Sequence, residues 1–130
     1  MKFYVAGKWE DRKNIRKLMD KIRGFGHAIT YDWTIDEELL DREVKTMSDT
    51  RGVQECDAYV GRFIEKNHYR GALVELGIAL GLGKRIYIIG HSEDECIFTN
   101  HPSVQRFPDE LGFLIFISWG QYDEEGDFKL

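Results

Sequence analysis

The chain has 130 residues, of which 42% are hydrophobic and 32% are charged, and this suits one domain with its own packed core. No stretch approaches the roughly 20 apolar residues of a membrane-spanning helix, and the apolar start at residues 1–7 is too short for a signal peptide. The net charge of −5 and the lack of a basic stripe argue against a nucleic-acid partner. One or two basic side chains can still bind a small charged ligand.

The cysteine and histidine residues show no metal-binding or disulfide pattern. Cys56 and Cys96 lie in or beside apolar segments, and the four histidines are scattered. We therefore expect reduced thiols in a cytoplasmic protein, with no metal and no cofactor.

Apolar strand-like segments alternate with helical patterns along the chain. Helical spacing of Ile15, Leu18, Met19 and Ile22 predicts the first helix, and a glycine-containing stretch follows it. The predicted elements are, in order, strand 2–6, helix 10–23, strand 27–33, a helix within 34–55, strand 57–64, a helix from about 71 to 82, strand 85–89, a loop-rich link 91–110 and strand 114–118. The acidic segment from Gln121 onward is expected to be frayed.

This alternation predicts a single α/β domain over residues 1–130. Strands joined by helices form a parallel sheet covered on both faces, in a three-layer flavodoxin-like or Rossmann-like arrangement. Ligands of such sheets bind where the strands end at their carboxyl edge. The residues that follow each strand are therefore the first candidates for a site.

One carboxylate is out of place in the helix that follows the strand 57–64. Glu75 lies inside an apolar run that starts after Gly71 and ends at Gly83. A buried glutamate usually has a partner, and burial raises its pKa. Glu75 is either an acid that matches the dipole of the helix N-terminus or the reactive group of a site at the sheet edge.

Four segments of the chain stand out as motifs. They are Phe-Tyr-Val-Ala-Gly at 3–7, Gly-His-Ala-Ile-Thr-Tyr-Asp-Trp at 26–33, Asp-Thr-Arg-Gly-Val-Gln-Glu-Cys-Asp-Ala-Tyr-Val at 49–60, and Arg-Gly-Ala-Leu-Val-Glu-Leu-Gly-Ile-Ala at 70–79 continuing to Gly-Lys at 83–84. In this order they resemble the landmarks of the nucleoside 2-deoxyribosyltransferase-like family. The family includes nucleoside transferases and deoxynucleoside monophosphate N-glycosidases. The last segment is the most specific of the four.

The resemblance implies a flavodoxin-like domain with five parallel strands. It also implies cleavage of the bond between a base and a 2-deoxyribose, by transfer or by hydrolysis. Glu75 matches the family's nucleophile, which forms a glycosyl–enzyme ester, and Tyr4 matches a tyrosine that orients it. Asp57 and Asp32 are the acids expected to assist the leaving base, and Asp49 matches a family acid with a sugar-binding or a structural role.

The substrate-binding residues implied by the resemblance and by the strand ends are Gly7, Lys8, Asp32, Trp33, Asp49, Tyr69, Arg70 and Gly71. Two positions depart from the family. Tyr69 stands where many transferases carry Asp and nucleotide glycosidases carry Ser, and Ala72 replaces a frequent Thr. Arg70 and the pair Lys8 and Arg12 can bind a 5′-phosphate, which favours a nucleotide, or can simply be solvated surface residues.

Two questions stay open at this point. The alternative to an enzyme is a non-catalytic module on the same fold that binds or senses a nucleotide. A homodimer or larger homo-oligomer is also expected, because family members close their sites with a partner's carboxyl-terminal segment. The apolar run 113–119 can serve as such an interface or as ordinary core.

Overall fold

A five-stranded parallel sheet with helices on both faces forms the body of the protein. The computed structural model describes residues 1–36, 41–66, 68–93, 96–119, 121–122 and 128–129. The strands are β1 (Lys2–Ala6), β2 (Ala28–Ile29), β3 (Ala58–Arg62), β4 (Arg85–Ile89) and β5 (Val104–Phe107), in the order β2-β1-β3-β4-β5. The helices are α1 (Arg12–Gly24), α2 (Arg42–Glu55), α3 (Gly71–Gly81) and α4 (Glu110–Ser118). This order confirms the predicted flavodoxin-like α/β fold.

The central strands β1, β3 and β4 are buried on both faces, which explains their nearly continuous apolar sequences. β1 pairs with β3 from Phe3↔Ala58 to Ala6↔Gly61, so these two strands end side by side. Their ends place Gly7 and Arg62 at the same edge of the sheet. This edge is the one that carries the pocket described below.

The helices form two layers that right-handed crossovers set on opposite faces of the sheet. α1 packs against α4, while α2 packs against α3. The apolar stripe of α1 is fully buried, as its helical spacing predicts. Gly83 adopts φ +69° directly after α3, and the Lys84 amide donates to Ala79 O. This left-handed residue lets the chain leave α3 and enter β4.

The second predicted strand, 27–33, is too long. β2 covers Ala28–Ile29 only, because it lies at the sheet edge and pairs with β1 alone. Trp33 begins a short 3-10 turn, Trp33–Ile35, and the Asp32 carboxylate accepts a hydrogen bond from the Thr34 amide at its start. This local turn competes with the extended backbone. Within the predicted helix region 34–55, residues 37–40 lie outside the described residues.

The predicted loop 91–110 and last strand 114–118 are wrong. Residues Val104–Phe107 form the edge strand β5, and Glu110–Ser118 form α4. Asp109 caps α4 by accepting a hydrogen bond from the Gly112 amide. α4 is apolar on every side, so its sequence carries no helical period.

The apolar run 113–119, predicted as a candidate interface strand, lies mostly in the helix α4, so only its exposed side chains can contact a second copy. Phe113 and Ile117 are core residues, whereas Leu111, Ile115 and Trp119 are exposed. The homo-oligomer stays a prediction. Beyond α4, Gln121–Tyr122 and Phe128–Lys129 pair as a small antiparallel ladder, and the rest of the acidic end lies outside the described residues.

No helix in the described part of the chain is long and apolar enough to cross a membrane. Cys56 is buried, Cys96 is half-buried, and both are free thiols.

Two glycine substitutions test how closely the layers approach the sheet. A Cβ at Gly52 in α2 would lie 2.9 Å from the Tyr4 ring and from Tyr31 Cβ, whereas a Cβ at Gly77 in α3 meets nothing within 4 Å. We expect Gly52→Ala to lower the free energy of unfolding by about 1–3 kcal/mol through overpacking. Gly77→Ala, the matched control, is expected to raise it by about 0.5–1 kcal/mol because alanine favours helix. Urea unfolding measures both, and a harmless Gly52→Ala contradicts this packing.

Candidate active site

A pocket of about 500 Å³ opens at the carboxyl edge of the sheet, above the ends of β1 and β3. Most of the predicted site residues line it: Tyr4, Gly7, Lys8, Trp33, Asp49, Arg70, Gly71 and Glu75. The pocket therefore gathers side chains from β1, α2, α3 and the connecting loops. Such an edge is where ligands bind in sheets of this topology.

Glu75 reaches the pocket because α3 is fixed at its first turn. The Tyr59 hydroxyl of β3 donates to Ala72 O at 2.6 Å, which holds the start of α3 against the sheet. Glu75 lies one turn further along, and Tyr4 of β1 donates its hydroxyl hydrogen bond to Glu75 Oε2. Tyr4 is fully buried, so this hydrogen bond orients the carboxyl group from the rigid centre of the sheet.

Burial raises the pKa of Glu75 to about 8, and the nearby charge of Asp49 adds to the increase. The hydrogen bond from Tyr4 acts in the opposite direction, because it stabilises the ionised carboxylate. Burial together with the charge of Glu75 also raises the pKa of the Tyr4 phenol, so Tyr4 stays a neutral donor. A perturbed carboxyl group in a cleft is a mark of a functional site.

Asp49 is a second perturbed carboxyl group in the same pocket. Its Oδ1 is buried and accepts no hydrogen bond from the residues that the structure describes. Burial and the charge of Asp36 raise its pKa, the charge of Lys45 lowers it, and the net value is about 6. Asp36 is held in place by the Tyr31 hydroxyl, which donates to its Oδ1 at 2.6 Å.

Two basic side chains also line the pocket. Lys8 follows β1, and Arg70 precedes the first residue of α3. The first turn of α3 contains no acidic residue, and Arg70 makes no side-chain cap to it. The positive end of the helix dipole and two cationic side chains therefore all contribute to the pocket lining.

Two tryptophan side chains, Trp9 and Trp33, also line the pocket. Trp33 Nε1 donates to Val5 O at 2.7 Å, which fixes its indole against β1. Trp9 lies beside it with ring centroids 6.4 Å apart, and the Arg12 guanidinium lies 4.5 Å above the Trp9 ring. Sequence reasoning did not single out Trp9, although its position just after β1 was a usable signal.

The structure does not bring Asp57 into the pocket, so its predicted role as the acid for the leaving base is wrong. Asp57 precedes β3 and is exposed at the amino edge of the sheet, where its Oδ2 accepts a hydrogen bond from the Lys2 amide at 2.8 Å. A five-residue strand separates it from the carboxyl edge. It serves as a link between β1 and β3.

Asp32 and Tyr69 also lie outside the pocket lining. The Asp32 carboxylate is occupied by the amide and hydroxyl of Thr34. Tyr69 is buried behind the pocket, and its hydroxyl donates to Glu65 O at 2.7 Å. Both were predicted to contact the substrate, and the geometry gives each a supporting position instead.

Among the described residues, no group of three or more His, Cys, Asp or Glu side chains is placed to hold a metal ion. The pocket offers two carboxyl groups with raised pKa values, Glu75 and Asp49, together with the buried phenol of Tyr4 and the exposed acid Glu10. Lys8 and Arg70 form what we call its basic rim. An acid pair of this kind is suited to bond cleavage at a carbon that develops positive charge.

These features define a flavodoxin-like α/β domain with a carboxylate pocket at its carboxyl edge. No family model and no curated protein matches the chain. The fold is similar to that of the CMP N-glycosidase BcmB from Clostridium botulinum, with a TM-score of 0.63 and 18% identity over 88% of this chain and 95% of that one. It is also similar to a 2-deoxyribosyltransferase from Bacillus psychrosaccharolyticus, with a TM-score of 0.64 and 19% identity over 100% of both chains.

One of these similar structures is described as an N-glycosidase and the other as a deoxyribosyltransferase. The resemblance drawn from the sequence is thereby confirmed at the level of the fold.

The raised pKa of Glu75 predicts how stability depends on pH. The pKa of the Glu75 carboxyl group is 4.5 in the unfolded chain and about 8 in the folded one, so the folded state binds the proton more tightly. The resulting contribution to the free energy of unfolding is fully present below pH 4.5 and is lost as the pH rises through 8. Glu75→Gln keeps the shape and cannot ionise. We expect this variant to gain stability relative to wild type between pH 5 and pH 8, as measured by urea unfolding. Glu55→Gln, at an exposed position in α2, is the control, and parallel curves for Glu75→Gln and wild type contradict the assignment.

Proposed function

We propose that this protein cleaves the N-glycosidic bond of a 2′-deoxynucleoside or its 5′-monophosphate, with Glu75 as the nucleophile. The observation that carries the proposal is the Tyr4–Glu75 hydrogen bond inside a pocket that holds a second perturbed carboxyl group. A carboxylate stabilises an oxocarbenium-like transition state electrostatically and then covalently. The fold shared with an N-glycosidase and a deoxyribosyltransferase supports the same reaction class.

In the proposed first step, a Glu75 carboxylate oxygen bonds to the anomeric carbon of the sugar. The bond from that carbon to the base nitrogen breaks, and its electron pair stays on the base. In this proposal Asp49 takes the place of Asp57 as the acid, because it lines the pocket and its pKa of about 6 brings its protonated form closer to neutral pH than that of an ordinary aspartate. In the second step, water or another base attacks the glycosyl ester and frees Glu75, while Asp49 recovers a proton.

The two carboxyl groups influence each other, so their titration belongs to the pair. With values of about 6 and about 8, the pair holds one proton around neutral pH. Because the pKa of Glu75 is the higher of the two, that proton rests mainly on Glu75 in the empty pocket. The reactive arrangement, with the proton on Asp49 and the charge on Glu75, is the minor form, and the hydrogen bond from Tyr4 stabilises it. The buried Tyr4 phenol therefore serves the proposed reaction by stabilising the ionised form of Glu75, the form that can act as the nucleophile.

The decisive experiment incubates the protein with each deoxynucleoside and each deoxynucleoside 5′-monophosphate, with and without a second free base. Chromatography follows the released base and any new nucleoside. We expect Glu75→Gln to reduce the rate by at least about 10³-fold, because an amide cannot form the ester, while Glu55→Gln stays active. The rate of the wild type is expected to be bell-shaped in pH, with limbs near 6 and 8.

The products also separate the two reaction types. Free base without an acceptor indicates hydrolysis, and a new nucleoside that forms only with a second base indicates transfer. If no substrate releases base and Glu75→Gln behaves as wild type, the catalytic proposal fails. The non-catalytic nucleotide-binding module then becomes the working hypothesis, supported by the basic rim around the start of α3.

The basic rim favours the 5′-monophosphate over the nucleoside. Arg70 is exposed, lines the pocket and directly precedes the start of α3, where the helix dipole favours an anion. We expect Arg70→Gln to raise KM for the monophosphate about tenfold, since a charge-assisted hydrogen bond is lost, and to leave KM for the nucleoside unchanged. Arg51→Gln, exposed on α2, is the control. An equal rise in both KM values shows that Arg70 does not bind the phosphate.

A further inference from the structure

Lys8 lies against the face of a buried aromatic ring. Its ammonium is 5.1 Å from the centroid of the Tyr69 ring. Tyr69 is 4% exposed, its ring packs edge-on against Phe63 at 4.7 Å, and its hydroxyl donates to Glu65 O at 2.7 Å. Ring and hydroxyl are both fixed, so Tyr69 presents a rigid face to the flexible lysine side chain.

The Lys8 side chain lies between two cavities, and groups in both of them attract its ammonium. Lys8 lines the main pocket and also a neighbouring cavity of about 210 Å³, which is lined by Glu10, Asp11 and Glu65 as well. The Asp11 carboxylate is already paired with Arg62 at 2.5 Å, whereas Glu10 and Glu65 are exposed acids. Glu10 lines both cavities, whereas Glu65 lines the smaller cavity and not the main pocket, so the charge of Glu65 attracts the ammonium away from the main pocket. The Tyr69 ring supplies an attraction that holds it at the boundary.

We propose that Tyr69 is a positioning residue that holds the Lys8 ammonium in place for the 5′-phosphate of a nucleotide substrate. The inference rests on the proposed function and names the substrate class of the same site. An aromatic face attracts the cation without neutralising it, so Lys8 keeps its full charge for the phosphate. A carboxylate at position 69 would pair with Lys8 and cancel that charge.

This arrangement also lowers the entropic cost of binding. A free lysine side chain loses rotamer freedom when it is fixed on a ligand, and this loss opposes binding. Contact with the Tyr69 ring restricts the side chain before the ligand arrives, which is preorganisation. Tyr69, which departs from the family pattern, thus gives this chain its own means of selecting a phosphorylated substrate.

The test is a double-mutant cycle read by calorimetry in the Glu75→Gln background, so that no turnover occurs. The probes are the deoxynucleoside 5′-monophosphate that binds most tightly and the matching deoxynucleoside. We expect Tyr69→Leu to weaken the Kd of the monophosphate about fivefold and to leave the nucleoside unchanged. Tyr69→Phe keeps the ring and is expected to stay within about twofold of the parent.

In the Lys8→Met background, Tyr69→Leu is expected to have no further effect on the monophosphate, because the cation is gone. The proposal is overturned if Tyr69→Leu weakens both ligands equally, if its effect persists without Lys8, or if Tyr69→Phe is as damaging as Tyr69→Leu. Should Tyr69→Leu fail to fold, Lys8→Met decides alone, since an unchanged preference for the monophosphate rules out the role of Lys8.

Failure of the proposed function is distinguished by the activity assay. If the wild type releases no base but binds the monophosphate with this pattern, the positioning of Lys8 stands and the catalytic step falls. If no monophosphate binds at all, both proposals fall.

Discussion

The hydrogen bond between Tyr4 and Glu75 joins the centre of the sheet to the helix that lines the pocket, and the surrounding structure is arranged around it. Tyr4 is buried in β1 and faces α2 and α3, where Gly52 leaves room for its ring. Tyr59, the neighbour of Tyr4 in β3, fixes the start of α3 through Ala72 O. Two adjacent tyrosines on one face of the sheet therefore set both the position of α3 and the direction of its carboxyl group.

The pocket is lined by side chains of both charges. Glu75, Asp49 and Glu10 are its acids, and Lys8 and Arg70 are its basic side chains, with Arg70 directly before the start of α3. A ligand that develops positive charge at one end and carries an anion at the other is complementary to this arrangement. The buried carboxyl groups hold a proton near neutral pH, so the empty pocket avoids two uncompensated negative charges at low dielectric.

The sequence predicted the parts of the fold that have a strong period or a distinct boundary. α1 has a clear apolar stripe, and β1 and β4 are short buried runs bounded by glycine, so all three were located correctly. α4 is apolar on every side and was mistaken for a strand.

Asp57 was assigned to the site although it precedes β3, and the rule that ligands bind at carboxyl ends argued against it. The contact between the Lys8 ammonium and the Tyr69 ring joins residues far apart in the sequence, so no local sequence pattern predicts it.

A buried ionic cluster ties α4 to the pocket wall. Arg62, at the end of β3, donates to Asp11 Oδ2 at 2.5 Å and to Glu110 Oε2 at 2.9 Å. Asp11 closes the short turn Trp9–Asp11, which carries Lys8 and Trp9 to the pocket. Removing charges from water costs free energy that packed apolar residues would not incur, so the cluster is a poor source of stability. Its geometric effect is specific, because a single guanidinium fixes the loop after β1 relative to both β3 and α4. The turn that carries Lys8 and Trp9 is therefore held from behind, by side chains that do not line the pocket.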